Sequence, residues 1–337
     1  MAEIVLAIGS SHGPMLSTPP EGWDLRVPDD RRNRHHYRGR IWSFDELVAE
    51  RSNEGLEQQI TLERWRIRHA ACRAALARLA DVFERARPDV AILFGDDQME
   101  CFRFGVVPSL GIFYGDTFVN SEYEAERIAR LPPGIAPSLP GHIPPGGASY
   151  PGSPELALHL IKQAQADGFD LCAMKVLPND ETPHAFGFLS RQIMLDRVIP
   201  SIPVFINTFY PPNQPAAERC AQLGRSLLRA IRSWSQPLRI ALLASGGLTH
   251  FVIDEQVDQQ VLSAIRAGRV EGITSLPEST FQSGTSEIKN WIPVVAAMSE
   301  LGVRAEVVDY VPCYRSLAGT GNAMGFVYWQ APGRSDA

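Results

Sequence analysis

Five short, predominantly apolar runs, each followed by polar or titratable residues, constrain this chain more than any other feature. They are EIVLAIG (3–9), DVAILFG (89–95), DLCAMKVL (170–177), IPVFINTF (202–209) and RIALLASGG (239–247). Between them lie stretches with an apolar stripe at helical spacing, over Leu62–Arg87, Pro154–Ala166 and Pro215–Trp234. Ser153 suits an N-cap, with Pro154 at the first helical position. Strands that are apolar on both faces and alternate with helices predict an α/β fold, with a mostly parallel central sheet flanked by helices. A chain of 337 residues suits one large α/β domain or two small ones. No linker or repeat divides it, so residues 1–337 are read as a single domain.

In an open parallel sheet, ligands bind beyond the carboxyl ends of the strands. Here those ends carry Ser10-Ser11-His12, Asp96-Asp97-Gln98, Asn179 to His184, Asn207-Thr208 and Gly246 to His250. Two stretches dense in proline, glycine or charge, 17–45 and 131–152, read as long loops over the surface or the site.

Bulk properties exclude several classes. A net charge of -6 argues against a nucleic-acid surface. No apolar run is long enough to cross a bilayer, and the N-terminus reads as a buried strand rather than a signal peptide. The five cysteines are scattered and never spaced as CxxC. That argues for reduced thiols in a cytoplasmic protein and against a disulfide framework or zinc cage.

His12 and His250 follow strands and are candidates for metal ligand or acid–base catalyst. His184 lies in a loop and is open between a site role and none. His35 and His36 fall in an arginine-rich stretch and are expected to be solvated. His69 and His159 lie in helical patterns and are expected to be structural. His142 has no assignment. Asp96 and Asp97, placed directly after an apolar strand, must be solvated, paired or holding a cation. Glu287 reads most simply as an early-turn glutamate favouring a helix dipole. No GxSxG, GxxxxGK[ST] or HExxH motif occurs. Spacing alone thus supports a metal or acid–base site at a sheet edge, and no particular reaction.

The order of segments resembles the class III extradiol dioxygenases, which include the protocatechuate 4,5-dioxygenase catalytic subunit and the gallate and 3-O-methylgallate dioxygenases. The stretches that carry the resemblance are SSHGP, PDVAILFGDDQ, FINTFYPPNQPAAERC, SGGLTH, SGTSEIKNW and VPCYRSLAGTGNAMGF. It implies an enzyme that inserts O2 into a catechol-type, carboxylated phenolic ring with ring opening, on Fe(II). By the same resemblance His12 and Glu287 are metal ligands, His250 is the acid–base catalyst and His184 contacts substrate. The family places its second histidine ligand after the second strand, in an Asp-His context. This chain has Asp97-Gln98 there. Either oxygen can serve as a ligand, and harder donors move the preference from Fe(II) towards Mn(II). The glycine-rich 319–325 is expected to give backbone donors and room for the ring. A homo-oligomer, a dimer, is expected, with no nucleic-acid or membrane partner. Two alternatives stand beside this reading: a degenerate noncatalytic subunit, and a metal-dependent hydrolase or lyase on the same scaffold.

Overall fold

The computed structural model describes residues 2–103 and 106–331. Nine strands form one sheet: β1 (Glu3–Ser10), β2 (Val90–Gly95), β3 (Leu110–Phe113), β4 (Cys172–Met174), β5 (Ser201–Ile206), β6 (Arg239–Ser245), β7 (His250–Val252), β8 (Ala305–Tyr314) and β9 (Thr320–Gln330). Their order is β7-β9-β1-β6-β2-β5-β3-β4, with β8 also paired to β9. The four central strands, β1, β6, β2 and β5, are parallel. Towards both edges the sheet turns mixed, because β3 runs antiparallel to β5 and β9 runs antiparallel to β1, β7 and β8.

The central strands are apolar throughout because both faces are covered. On β2, Ile92 and Phe94 face one layer while Ala91 and Leu93 face the other. This is the period-two alternation of a strand. The first layer is built from α2 (Pro154–Ala166), α3 (Ala217–Ser233) and α5 (Ile288–Glu300), through residues such as Leu160, Leu227 and Trp291. The second is built largely from α1 (Leu62–Ala86), through Leu76, Leu79 and Phe83. Replacing any of these fully buried leucines by alanine would cost about 2–5 kcal/mol. A further helix, α4 (Glu255–Ala267), adds to the first layer through Val261 and Ile265.

Several expectations change. The run 170–177 yields only a three-residue strand, since β4 is an edge that pairs with β3 alone. The glycine-rich stretch 319–325 lies almost entirely in β9 and is buried, with Gly321 and Asn322 between β7 and β8. Neither 17–45 nor 131–152 is a long loop. The first holds the turn Pro20–Arg26, the helix Val27–Arg32 and a hairpin of His35–Tyr37 with Arg40–Trp42. The second holds Ala136–Gly141 and a strand, Ala148–Pro151, paired with Thr117–Asn120. Proline is tolerated at helix starts, which is where Pro20 and Pro28 sit. His35 is buried rather than solvated, because the hairpin folds back and sets its Nε2 2.7 Å from the Asp30 carbonyl. Ser153 does occupy the N-cap of α2, but its side chain makes no capping hydrogen bond. No helix among the described residues is long and apolar enough to cross a membrane.

Candidate active site

β1, β6 and β2 are adjacent and parallel, so their carboxyl ends open at one edge. His12 follows β1, the acidic turn Asp96 to Glu100 follows β2, and the turn after β6 leads into His250, the first residue of β7. Glu287 closes a 3-10 turn and stands at the N-cap of α5. His184 opens the short helix His184–Phe188. His12, Gln98, Glu100, His184, His250 and Glu287 line a cavity of about 400 Å³. That is within the size range of small-molecule sites.

Glu287 is the hub. Its Oε2 lies 2.9 Å from His12 Nε2 and its Oε1 lies 3.2 Å from His250 Nε2. Gln98 donates its amide N–H to the same Oε1 at 2.8 Å. His250 donates Nδ1–H to the Leu248 carbonyl at 2.9 Å, so Nε2 is the nitrogen it turns to the site. Close packing holds that ring, since a Cβ on Gly284 would come within 2.3 Å of His250 Cδ2.

His184 belongs to a second pair. Its Nδ1 is 2.5 Å from Glu100 Oε1, which also accepts the backbone N–H of His184. Burial alone would strip the imidazole of its proton, but the Glu100 carboxylate outweighs it and raises His184 to about 10. Glu100 is correspondingly held at about 2 despite its burial. His184 is therefore doubly protonated near neutral pH, with Nδ1–H directed at Glu100 and Nε2 lying 3.1 Å from His12 Nε2. His12 is in turn kept neutral, because burial lowers its pKa more than Glu287 raises it. Its hydrogen is on Nδ1, bonded to Ser245 Oγ at 2.8 Å. A lone pair on His12 Nε2 thus faces inward beside the Glu287 carboxylate.

Asp96 completes the cluster. Its Oδ1 accepts from Asn290 Nδ2 at 2.8 Å, while its Oδ2 is buried without a hydrogen-bond partner among the described residues. Glu287 Oε2 likewise has no aligned donor. Burial, and then the Glu287 charge, push Asp96 up to about 8. Ligand atoms of His12, Asp96 and Glu287 lie within 4.8 Å of one another. Two orphaned carboxylate oxygens and an inward imidazole lone pair fit a divalent cation. Without one, the buried acids repel each other.

Of the residues singled out from sequence, His12, Gln98, His184, His250 and Glu287 come together here. Asp97 does not join them. Its carboxylate accepts the backbone N–H groups of Met99, Cys101 and Phe102 at 3.1, 2.7 and 3.1 Å, and so ties down the turn instead. Its neighbour Asp96 holds the place at the cluster, because consecutive residues leaving a strand point to opposite sides. Glu100, which charges His184, carried no sequence signal beyond being one acid among 38 Asp and Glu. His142 also lines the cavity, its ring 6.0 Å from that of His184, and burial lowers it to about 3.

Residues 78–324 match the family described as the catalytic LigB subunit of aromatic ring-opening dioxygenase. That span covers Asp96, His184, His250 and Glu287, while His12 lies before it. A gallate dioxygenase of Pseudomonas putida is 32% identical over 119 residues, 35% of this chain and 33% of the relative. The match thus spans about a third of that relative's length. An uncharacterized protein, JW3007 from Escherichia coli K12, aligns with a TM-score of 0.45 at 14% identity, over 75% of this chain and 91% of that one.

Proposed function

This chain belongs to the family of catalytic LigB subunits of aromatic ring-opening dioxygenases, and from that membership we propose an extradiol enzyme. It inserts O2 beside the hydroxyl pair of a catechol-type ring that bears a carboxylate, of the protocatechuate, gallate or 3-O-methylgallate kind. The observation that carries the reading is the convergence of His12, Asp96 and Glu287 beside a cavity that His12 and Glu287 line together with His250 and His184.

His12 Nε2, Glu287 and Asp96 Oδ2 would hold the metal, with the Gln98 amide beside them in place of the family's second histidine. One imidazole with two carboxylates is a harder donor set than two imidazoles with one, and favours Mn(II) more than the usual set does, with Fe(II) as the other candidate. When bound, a divalent ion acidifies the substrate hydroxyls and links ring and oxygen electronically. His250 takes a proton at Nε2 from a substrate hydroxyl and returns it as the ring opens, because Nδ1 is committed to Leu248. With the His12 lone pair taken by the metal, the Nε2–H of His184, kept charged by Glu100, would be free to donate to anionic oxygen in the cavity. The apolar wall of Leu131, Ile135, Leu139 and Phe188 shields the ring from water.

The test is oxygen uptake by protein loaded with Fe(II) or Mn(II) and offered the three acids, with a His250→Ala control. Uptake with a ring-opened product, lost in the control, is the expected result. A noncatalytic subunit is the second reading, favoured by Gln98 standing where the family has histidine. Elemental analysis separates the two, since a chain that binds no metal and consumes no oxygen is the noncatalytic one.

A further inference from the structure

Three arginines line the cavity, and two are already paired with carboxylates. Arg315 grips Asp30 with both prongs of its guanidinium, Nε to Oδ2 at 2.8 Å and Nη2 to Oδ1 at 2.7 Å. Both side chains are almost fully buried. Thr320 fills a remaining Asp30 acceptor position at 2.6 Å. Arg127 donates Nη1 to Glu181 at 2.7 Å and lies 3.5 Å over the Tyr123 ring. Arg26 differs. Its Nη1 is buried and has no hydrogen-bond partner among the described residues.

A guanidinium does not lose its proton in a protein, so half-buried Arg26 keeps its charge with a buried N–H that has no acceptor among the described residues. Burial, and then the charge of Arg315 beside it, weigh against Arg26. Asp30, the nearest compensation, is committed to Arg315. The side chain is also held in place. Arg26 ends the turn Pro20–Arg26, and a Cβ on Gly134 would come within 3.1 Å of its Cγ and 3.2 Å of its Cδ. The bare backbone at Gly134, at φ +79°, lets the 131–135 segment lie against the arginine stem. A guanidinium that lines a ring-sized cavity, with its stem packed and its buried Nη1 lacking an acceptor, is suited to an anion that reaches its cavity side.

We propose that Arg26 is the specificity residue of this cavity, binding the carboxylate of an aromatic acid whose hydroxyl end lies towards His12 and Glu287. The assignment deepens the ring-opening reading and rests on it for the hydroxyl end. The anion end stands on Arg26 alone. It makes the substrate class hydroxylated benzoic acids, not neutral catechols. Arg315 cannot take the role without abandoning its present carboxylate, and Arg127 already has one prong on Glu181.

The experiment is calorimetric titration of the metal-loaded protein with para-hydroxybenzoate and with para-hydroxybenzamide, which have similar shape and differ in charge. Neither has the paired hydroxyls that ring opening needs, so binding is read without turnover. Wild type is expected to prefer the carboxylate by about tenfold or more, as a charge-assisted fork should. Arg26→Met should bind both ligands alike. Arg26→Lys keeps charge and stem but loses the fork, and should keep about a threefold preference. It serves also as the readout should the methionine variant not fold. Equal binding of both ligands by wild type, no binding of either, or a preference that survives the loss of Arg26 each overturns the assignment. Loss of the preference in Arg26→Met, with no oxygen consumed on any dihydroxybenzoate, would uphold the anchor and reject ring opening. Oxygen uptake with an unchanged KM for protocatechuate in Arg26→Met would do the reverse.

Discussion

His12 Nε2 stands 2.9 Å from Glu287 Oε2, although one residue follows the first strand and the other precedes α5. With the His12 hydrogen on Nδ1, no proton lies between these two atoms. Such a contact between two lone pairs is stable when a cation bridges it, and Asp96 supplies the third donor at the same point.

The two acids after β2 should therefore separate cleanly. Asp96→Asn removes a ligand oxygen and should lower metal affinity by about a hundredfold, read by calorimetry and metal content. Asp97→Asn should leave metal content unchanged but destabilise the turn by about 1–3 kcal/mol in urea denaturation, because one of the two oxygens that accept three backbone N–H groups becomes a donor. Metal lost from Asp97→Asn and kept by Asp96→Asn would refute the ligand assignment.

Gln98 offers Glu287 a neutral amide where the family has imidazole. Gln98→His should raise the affinity for Fe(II) relative to Mn(II), since imidazole suits iron better than a hard oxygen donor does. Competitive loading followed by elemental analysis reads the ratio. An unchanged ratio would mean that position 98 does not reach the metal.

Gly284 has no room for a methyl group. A Cβ there would lie 2.5 Å from the His250 carbonyl oxygen and 2.3 Å from Cδ2 of its ring. Gly284→Ala should displace His250 and reduce kcat by about a hundredfold, the scale of losing a positioned acid–base group. The cost in stability should be only about 1–3 kcal/mol. Turnover at the wild-type rate in a folded Gly284→Ala protein would show that the His250 position is not critical.

Asp258 gives a pH signature away from the metal. It accepts the backbone N–H and hydroxyl of Thr249 at 2.9 and 2.8 Å and the Tyr310 hydroxyl at 2.7 Å, fixing the turn before His250. Burial nevertheless raises it to about 7 from an ordinary 3.8. A carboxyl that holds its proton more tightly when folded favours the folded state in acid. That contribution is present in full below about 4 and is lost as pH climbs to about 7. Urea midpoints measured at pH 5 and pH 8 should fall more in wild type than in Asp258→Asn. An equal fall would mean that Asp258 titrates normally.

The sequence announces the central strands because each is covered on both faces, which makes it apolar at every position; β2 is the plain example. It does not announce β9. That strand is glycine-containing and begins Thr320-Gly321-Asn322, which gives no strand signal until β7 and β8 are seen to flank it. His12 and His250 were visible because they sit where strands end. Asp96 was visible only as half of an acidic pair, and strand geometry decides which half turns to the cluster. Arg26 gave no sign at all. It is one of many arginines, and its meaning lies in lacking a partner, which only three-dimensional neighbours can show.

β1 is hydrogen-bonded on one side to Arg239–Ser245 and on the other to Phe326–Gln330. Nothing near it in the chain can complete it. While the protein is being made, His12 therefore waits on an unpaired strand until residues 239–245, and then 326–330, have been added. Contacts of such long sequence separation form slowly. The cluster is consequently a late product of folding, and a chain cut short before β9 carries no weakened version of it.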